Sequence, residues 1–197
     1  DEALKTAVQI FINNWPNDDV DLLLHVTDEF TLAEVISQTM SAVMADPSSA
    51  DALKILEKAQ TIYSQHTDFK ITTQLLEGAI KLVAANGKKL ADIAPLFDAA
   101  QRSEVRLTDA TSSQLVSSYF QELLQLGDNF FNLLFAVVDP ESSARTIEQF
   151  TKNTSIGISK LIQFLKLLNE DNRKRLASEL KFPLDYLENF MSLKNPQ

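Results

Sequence analysis

Between Thr111 and Val138 the chain reads TSSQLVSSYFQELLQLGDNFFNLLFAVV, and its apolar residues recur at steps of three and four positions. This spacing places them along one face of an α-helix. From Phe130 onward only Asn132 is polar, so apolar side chains cover nearly the whole circumference, as in a helix surrounded by other helices. The sequence therefore predicts a core helix here, with Phe130, Leu134 and Val137 buried.

The segments on either side of this stretch show the same helical period, and each is bounded by helix start and stop signals. Helix starts fall near 32, 50, 70 and 88, a spacing typical of successive antiparallel helices. The β-prone FKITT at Phe69 to Thr73 lies inside helical periodicity, so no strand is predicted. The boundary signals are a Thr31/Glu34 capping box, Ser48 or Ser49, Thr67 or Asp68, Asn86-Gly87, Pro95 and Asp139-Pro140.

These patterns predict an all-α fold, a compact bundle of about nine or ten helices, with an α-solenoid of helical hairpins as the alternative. We expect a single domain, 1–197, with a subdivision near 101–111 as the other arrangement. The longest strongly apolar stretch, Phe130 to Val138, is about half of the ~20 residues that a membrane-spanning helix needs. No transmembrane segment is therefore predicted.

The composition excludes several kinds of site. The chain has no cysteine, which excludes disulfides, thiolate metal sites and a cysteine nucleophile but leaves the compartment open. The sequence starts at Asp1 without a Met or a leader, so we expect a processed chain or an excised domain, with a cytoplasmic location slightly favoured.

Charge is unevenly distributed along this acidic chain, whose net charge is −9. Residues 1–50 carry one basic and nine acidic residues, whereas residues 151–197 carry eight basic and five acidic ones. An acidic balance disfavours binding to nucleic acid. The uneven charge indicates either solvated helix faces or an acidic N-terminal surface that binds a basic partner.

The acidic residues near the N-terminus match a calcium-binding loop only in part. Asn17, Asp19 and Asp21 match the first three ligand positions of a calcium loop, but Leu22 replaces the glycine that the loop requires and Asp28 its final glutamate. Asn17 or Asp18 is better explained as the cap of a short helix. We therefore predict no metal and keep Asp18, Asp19 and Asp21 as candidate residues for a basic protein partner.

No catalytic motif is present in the sequence. The four glycines form no phosphate-binding loop, and the two histidines, His25 and His66, lack the spacing of metal ligands on a helix. The basic cluster Arg173-Lys174-Arg175 is most simply an exposed helix face next to the acidic residues Glu170 and Asp171. The sequence predicts neither an enzyme nor a bound cofactor.

Phenylalanine is concentrated in the second half, since nine of the twelve lie between Phe97 and Phe190. Most simply they fill the core. The functional alternative is an apolar groove or cavity between helices, with Phe120, Phe130, Phe131 and Phe135 as the candidate binding residues.

By elimination the leading hypothesis is a non-enzymatic protein–protein interaction or scaffold module. It would bind another protein through the apolar helical groove or the acidic N-terminal face. The alternative is a carrier of a lipid, pigment or other hydrophobic ligand in a Phe-rich helical cavity.

Overall fold

The computed structural model describes residues 1–17, 20–112, 114–115, 118–119, 122, 136–137, 166, 169–171, 173–174 and 178. The chain divides into two compact units, Asp1–Val105 and Arg106–Gln197. The prediction of a single domain and its alternative, a subdivision near 101–111, both stay predictions.

The described residues are helical and contain no strand, which confirms the all-α prediction. They form seven helices rather than nine or ten. The further predicted helices, including the core helix Thr111 to Val138, follow α6 in a part of the chain where only some of the residues are described. The six α-helices are α1 (Glu2–Asn14), α2 (Asp21–Leu24), α3 (Glu29–Met44), α4 (Ala50–Gln65), α5 (Thr73–Ala85) and α6 (Ala94–Arg102), and a 3-10 helix covers Leu90–Ile93.

The core of the first unit is organised around α3, which contacts α1, α2, α4 and α5. Leu32, Ile36 and Met40 are fully buried on its inner face, at the four-residue spacing that the sequence predicts. The helix begins three residues earlier than its predicted start, because Asp28 and not Thr31 is the N-cap. Asp28 Oδ1 accepts a hydrogen bond from the Thr31 backbone N–H at 2.8 Å, and Oδ2 accepts one from the Thr31 hydroxyl at 2.7 Å.

The segment between α4 and α5 contradicts its predicted helical state. Phe69 and Ile71 are buried, yet α5 begins only at Thr73, and Thr72 is its N-cap. The backbone N–H of Ile71 donates to Ser103 Oγ at 3.0 Å, and that of Thr72 donates to Ser37 Oγ at 3.1 Å. Side chains from distant parts of the chain thus satisfy backbone groups that a helix would otherwise pair, and the segment stays non-helical.

Two long cationic side chains tie the ends of helices to their neighbours. Arg102, at the end of α6, donates to the carbonyl oxygens of Tyr63, at 3.1 Å, and of Thr67, and it pairs with Asp98 at 3.2 Å. On α4, Lys58 Nζ donates to the carbonyl oxygens of Ile12 at 2.9 Å and Asn13 at 3.1 Å. The carbonyls of Tyr63, Ile12 and Asn13 lie in the last turns of α4 and α1, where a positive charge is favourable.

Replacement of Lys58 by methionine is expected to lower the free energy of unfolding by about 1–2 kcal/mol, because two carbonyls at the end of α1 lose a charged donor while the apolar stem is kept. Denaturation followed by the fluorescence of Trp15, the only tryptophan, measures the change in the first unit. Lys54→Met, at an exposed position one turn earlier on α4, is the matched control, for which a change within about 0.5 kcal/mol is expected. Equal losses in the two variants would show that capping by Lys58 contributes nothing.

Alanine substitutions at two glycines should have opposite effects. Gly78 lies within α5, and an added Cβ would sit 3.9 Å from Met44 Cβ, so Gly78→Ala should stabilise the fold by about 0.5–1 kcal/mol through helix propensity. Gly87 follows the end of α5 at φ +63°, as the Asn86-Gly87 signal predicts, so Gly87→Ala should destabilise by about 1 kcal/mol although nothing would clash with the new methyl group. Thermal unfolding of the two variants checks the signs, and a stabilising Gly87→Ala would contradict the left-handed conformation.

In the second unit only a few positions are described. Leu115 and Val137 are fully buried, which confirms the predicted burial of Val137, and the Leu107 N–H donates to the Val137 carbonyl at 2.8 Å. Lys174 Nζ lies 3.0 Å from Glu170 Oε1 in an exposed pair, in line with the interpretation of the basic cluster as a solvated helix face.

Candidate functional site

Most of the predicted binding residues cannot be placed. Phe120, Phe130, Phe131, Phe135, Asp18 and Asp19 all lie outside the described residues. Asp21 is described, and it is the exposed first residue of α2. The candidate site that can be built from the described residues therefore starts at Asp21.

The single turn of α2 is held on the first unit by two side chains, while the others face outward. Val20 and Leu23 are buried, and Val20 O accepts backbone hydrogen bonds from Leu23 at 2.9 Å and Leu24 at 3.2 Å. Leu22 is 71% exposed and Leu24 is 37% exposed. One helical turn rotates successive side chains by about 100°, so three consecutive leucines cannot all reach the core.

Exposed apolar residues continue along the chain from α2 to the first turn of α3. Val26 is 75% exposed, and Phe30, the second residue of α3, is 69% exposed. We refer to Leu22, Leu24, Val26 and Phe30 as the N-terminal apolar patch. The structure contains only one other exposed large hydrophobic side chain among its described residues, Ile10 on α1 at 52%.

Exposed carboxylates are close to this patch in the sequence. Asp21, Asp28, Glu29 and Glu34 are all exposed. Hydrogen bonds from the backbone and the hydroxyl of Thr31 lower the pKa of Asp28. No Lys or Arg occurs between positions 6 and 53, so the negative charge here has no basic residue next to it in the chain.

The sequence prediction identified the acidic residues of this surface but missed the apolar ones. The missed signal is the LLL run in NDDVDLLLHV, which follows the end of the first helix at Trp15-Pro16. Three consecutive residues of a helix cannot share one face. A single turn with one buried leucine must expose at least one of the others.

A concave surface lies between the C-terminal part of α3 and α5. Its volume is about 460 Å³, and Met44 and Gly78 are among the residues that line it. The surrounding side chains are mixed in character, with Ser41, Gln74, Glu77 and Lys81 beside Ala42, Ala45 and Pro47. This groove lacks a concentration of one chemical type, and we do not assign it a ligand.

Among the described residues no group of three or more His, Asp or Glu side chains could hold a metal ion, and Asp18 and Asp19 lie outside that set. None of the helices in the described part of the chain has both the length and the apolar character of a membrane span. Comparisons of the sequence with known protein families and curated proteins, and of the fold with solved structures, find no match. The function is therefore argued from the N-terminal apolar patch alone.

Proposed function

We propose that the protein is a non-enzymatic interaction module that binds another protein through the N-terminal apolar patch. The observation that carries the proposal is the clustering of exposed hydrophobic side chains, since four of the five among the described residues fall between positions 22 and 30. Exposed large hydrophobic residues scattered singly need no explanation, whereas a cluster rimmed by polar groups is typical of a protein–protein contact.

The rim of the patch also fits an interaction surface better than an unfinished core. Val20 and Leu23 of the same segment are buried, so the segment packs on the first unit without the exposed residues. The exposed carboxylates of Asp21, Asp28 and Glu29 are close to these apolar residues in the sequence and supply polar groups. An apolar centre with a polar rim is typical of a protein interface.

The finer architecture belongs to the same proposal, because an interaction module needs a rigid support for the patch. We favour a compact bundle over a solenoid, and the contacts of α3 with four other helices support this choice. The alternative function, a carrier of a hydrophobic ligand, depends on Phe120, Phe130, Phe131 and Phe135 and stays a prediction.

Comparative affinity purification tests the proposed function. The whole chain and the double variant Leu22→Gln/Phe30→Gln would be used as baits, with Ile10→Gln as the control for loss of an exposed apolar side chain elsewhere. Proteins recovered by the wild type and by Ile10→Gln should be lost from the double variant. Recovery of the same proteins by all three baits would overturn the proposal, and a stoichiometric small molecule in native mass spectrometry would favour the carrier.

A further inference from the structure

We infer that the partner of the N-terminal apolar patch is a basic amphipathic helix of another protein. The inference rests on the proposed function, because it names the chemistry of the partner for the same surface. Three arguments support it. The sequence around the patch is acidic, two copies of the patch would therefore repel each other, and the described residues of the first unit contain no strand.

The charge of the patch surroundings selects a cationic partner. Asp21, Asp28, Glu29 and Glu34 are exposed and lie within four positions of these apolar residues in the sequence, and Asp18 and Asp19 precede them. Because no Lys or Arg occurs between positions 6 and 53, this part of the sequence carries a net negative charge. A partner with Lys or Arg flanking its apolar side chains would meet both the centre and the rim with complementary chemistry.

The same negative charge disfavours two other occupants of the patch, a second copy of this chain and an anionic membrane. A symmetric contact between two copies would bring this patch against itself and place its carboxylates opposite each other. An anionic membrane surface would repel them as well, since such membranes attract Lys and Arg. A separate basic protein segment avoids both conflicts.

The secondary structure of the first unit favours a helix as the form of that segment. An extended peptide binds most readily by adding a strand to the edge of a sheet, and the described residues contain no strand. A helix pairs its own backbone groups and needs only side-chain contacts from its partner. With apolar residues at three- and four-residue steps and cations on either side, it would cover the apolar patch and reach the acidic rim together.

Binding of matched peptides to the full chain tests this inference. The probes are three peptides of roughly five helical turns: an amphipathic helix with Lys on its polar face, the same apolar face with Glu in place of Lys, and a scrambled Lys peptide without a continuous apolar stripe. The Lys amphipathic peptide should bind at least roughly tenfold more tightly than the other two, because it alone matches both apolar centre and charge. Its affinity should fall as salt rises from about 0.05 M to about 0.5 M.

Variants of the chain locate the binding. Leu22→Gln/Phe30→Gln should lower the affinity for the Lys amphipathic peptide by roughly tenfold or more. Glu29→Gln/Glu34→Gln should lower both this affinity and its dependence on salt. Ile10→Gln should leave binding unchanged. All substituted side chains are exposed, and unchanged thermal unfolding by Trp15 fluorescence would show that each variant is folded.

The outcomes separate a failure of the inference from a failure of the proposed function. Equal binding of the Glu and Lys amphipathic peptides, lost in Leu22→Gln/Phe30→Gln, would keep the patch as a docking site and overturn the basic partner. Equal binding of the scrambled and amphipathic Lys peptides, unaffected by the patch variants, would overturn both. Patch-dependent binding to phosphatidylserine vesicles, or patch-dependent self-association in sedimentation, would replace the protein partner with a membrane or a second copy.

Discussion

Truncation of Ile36 to alanine is expected to lower the free energy of unfolding of the first unit by roughly 2–5 kcal/mol. Ile36 is fully buried near the middle of α3, and α3 contacts four other helices. A cavity at this position would be bounded by several helices, and such a site relaxes poorly because no single helix can move to fill it. Urea denaturation monitored by Trp15 fluorescence gives the value directly, since Trp15 lies in the same unit.

Ile10→Ala on α1 provides the comparison for this measurement. Its side chain is 52% exposed, so the same loss of methylene groups should change the free energy of unfolding only slightly, by about 0.5 kcal/mol. A loss of less than about 1 kcal/mol for Ile36→Ala would mean that α3 is peripheral. The difference between the two variants therefore measures how far the stability of the first unit depends on α3.

Features that depend on a few neighbouring residues could be predicted from the sequence. Ser49 caps α4, Gly87 takes the left-handed conformation after α5, and Pro95 splits its segment into a 3-10 helix and α6. In each case the deciding interaction spans four residues or fewer, so the local chemistry is sufficient. The period of α3 was predictable for the same reason.

Features that depend on distant partners could not be predicted. The backbone N–H groups of Ile71 and Thr72, which precede α5, donate to Ser103 and Ser37, which lie 32 and 35 positions away in the chain. The carbonyl contacts of Arg102 to Thr67 and Tyr63 likewise span 35 and 39 positions. No periodicity or capping rule refers to such separations, so the sequence favours a helix across the whole segment.

The candidate site was predicted in part for a related reason. Charge can be counted along the chain, and the acidic N-terminal region is evident without any structure. Exposure of an apolar side chain depends on whether neighbouring helices cover it, and Leu22 is exposed whereas the adjacent Leu23 is buried. The LLL run shows that its three leucines cannot share one helix face, but it does not say which of them is covered.

Raising the pH from about 10 to about 12 is expected to lower the free energy of unfolding by up to roughly 2–3 kcal/mol through Tyr63 alone. Tyr63 on α4 is fully buried, and burial raises the pKa of its phenol from 10.0 to about 12. The Tyr63 hydroxyl has no hydrogen-bond partner among the described residues. The nearby Ser37 hydroxyl lowers the pKa of Tyr63 by less than burial raises it, and Ser37 is already hydrogen-bonded to the Thr72 hydroxyl at 2.8 Å. The charged phenolate therefore has little to stabilise it in the folded state.

The sign of the effect follows from the proton count of each state. Below pH 10 the folded and unfolded chains both keep the phenolic proton, and stability does not depend on it. Between pH 10 and pH 12 the unfolded chain releases the proton while the folded chain retains it, so unfolding is increasingly favoured as pH rises. The contribution of Tyr63 to the free energy of unfolding is thus fully present below pH 10 and is lost progressively as the pH rises to about 12.

Tyr63→Phe isolates this contribution from the other groups that titrate at high pH. Denaturation series at several pH values should show a shallower loss of stability for the variant, by up to roughly 2–3 kcal/mol over the window. Below pH 10 the variant should be as stable as the wild type or more so, because the deleted hydroxyl has no partner among the described residues to lose. Parallel curves for the two proteins would show that Tyr63 reaches solvent, and a large loss at neutral pH would show that its hydroxyl is hydrogen-bonded in solution.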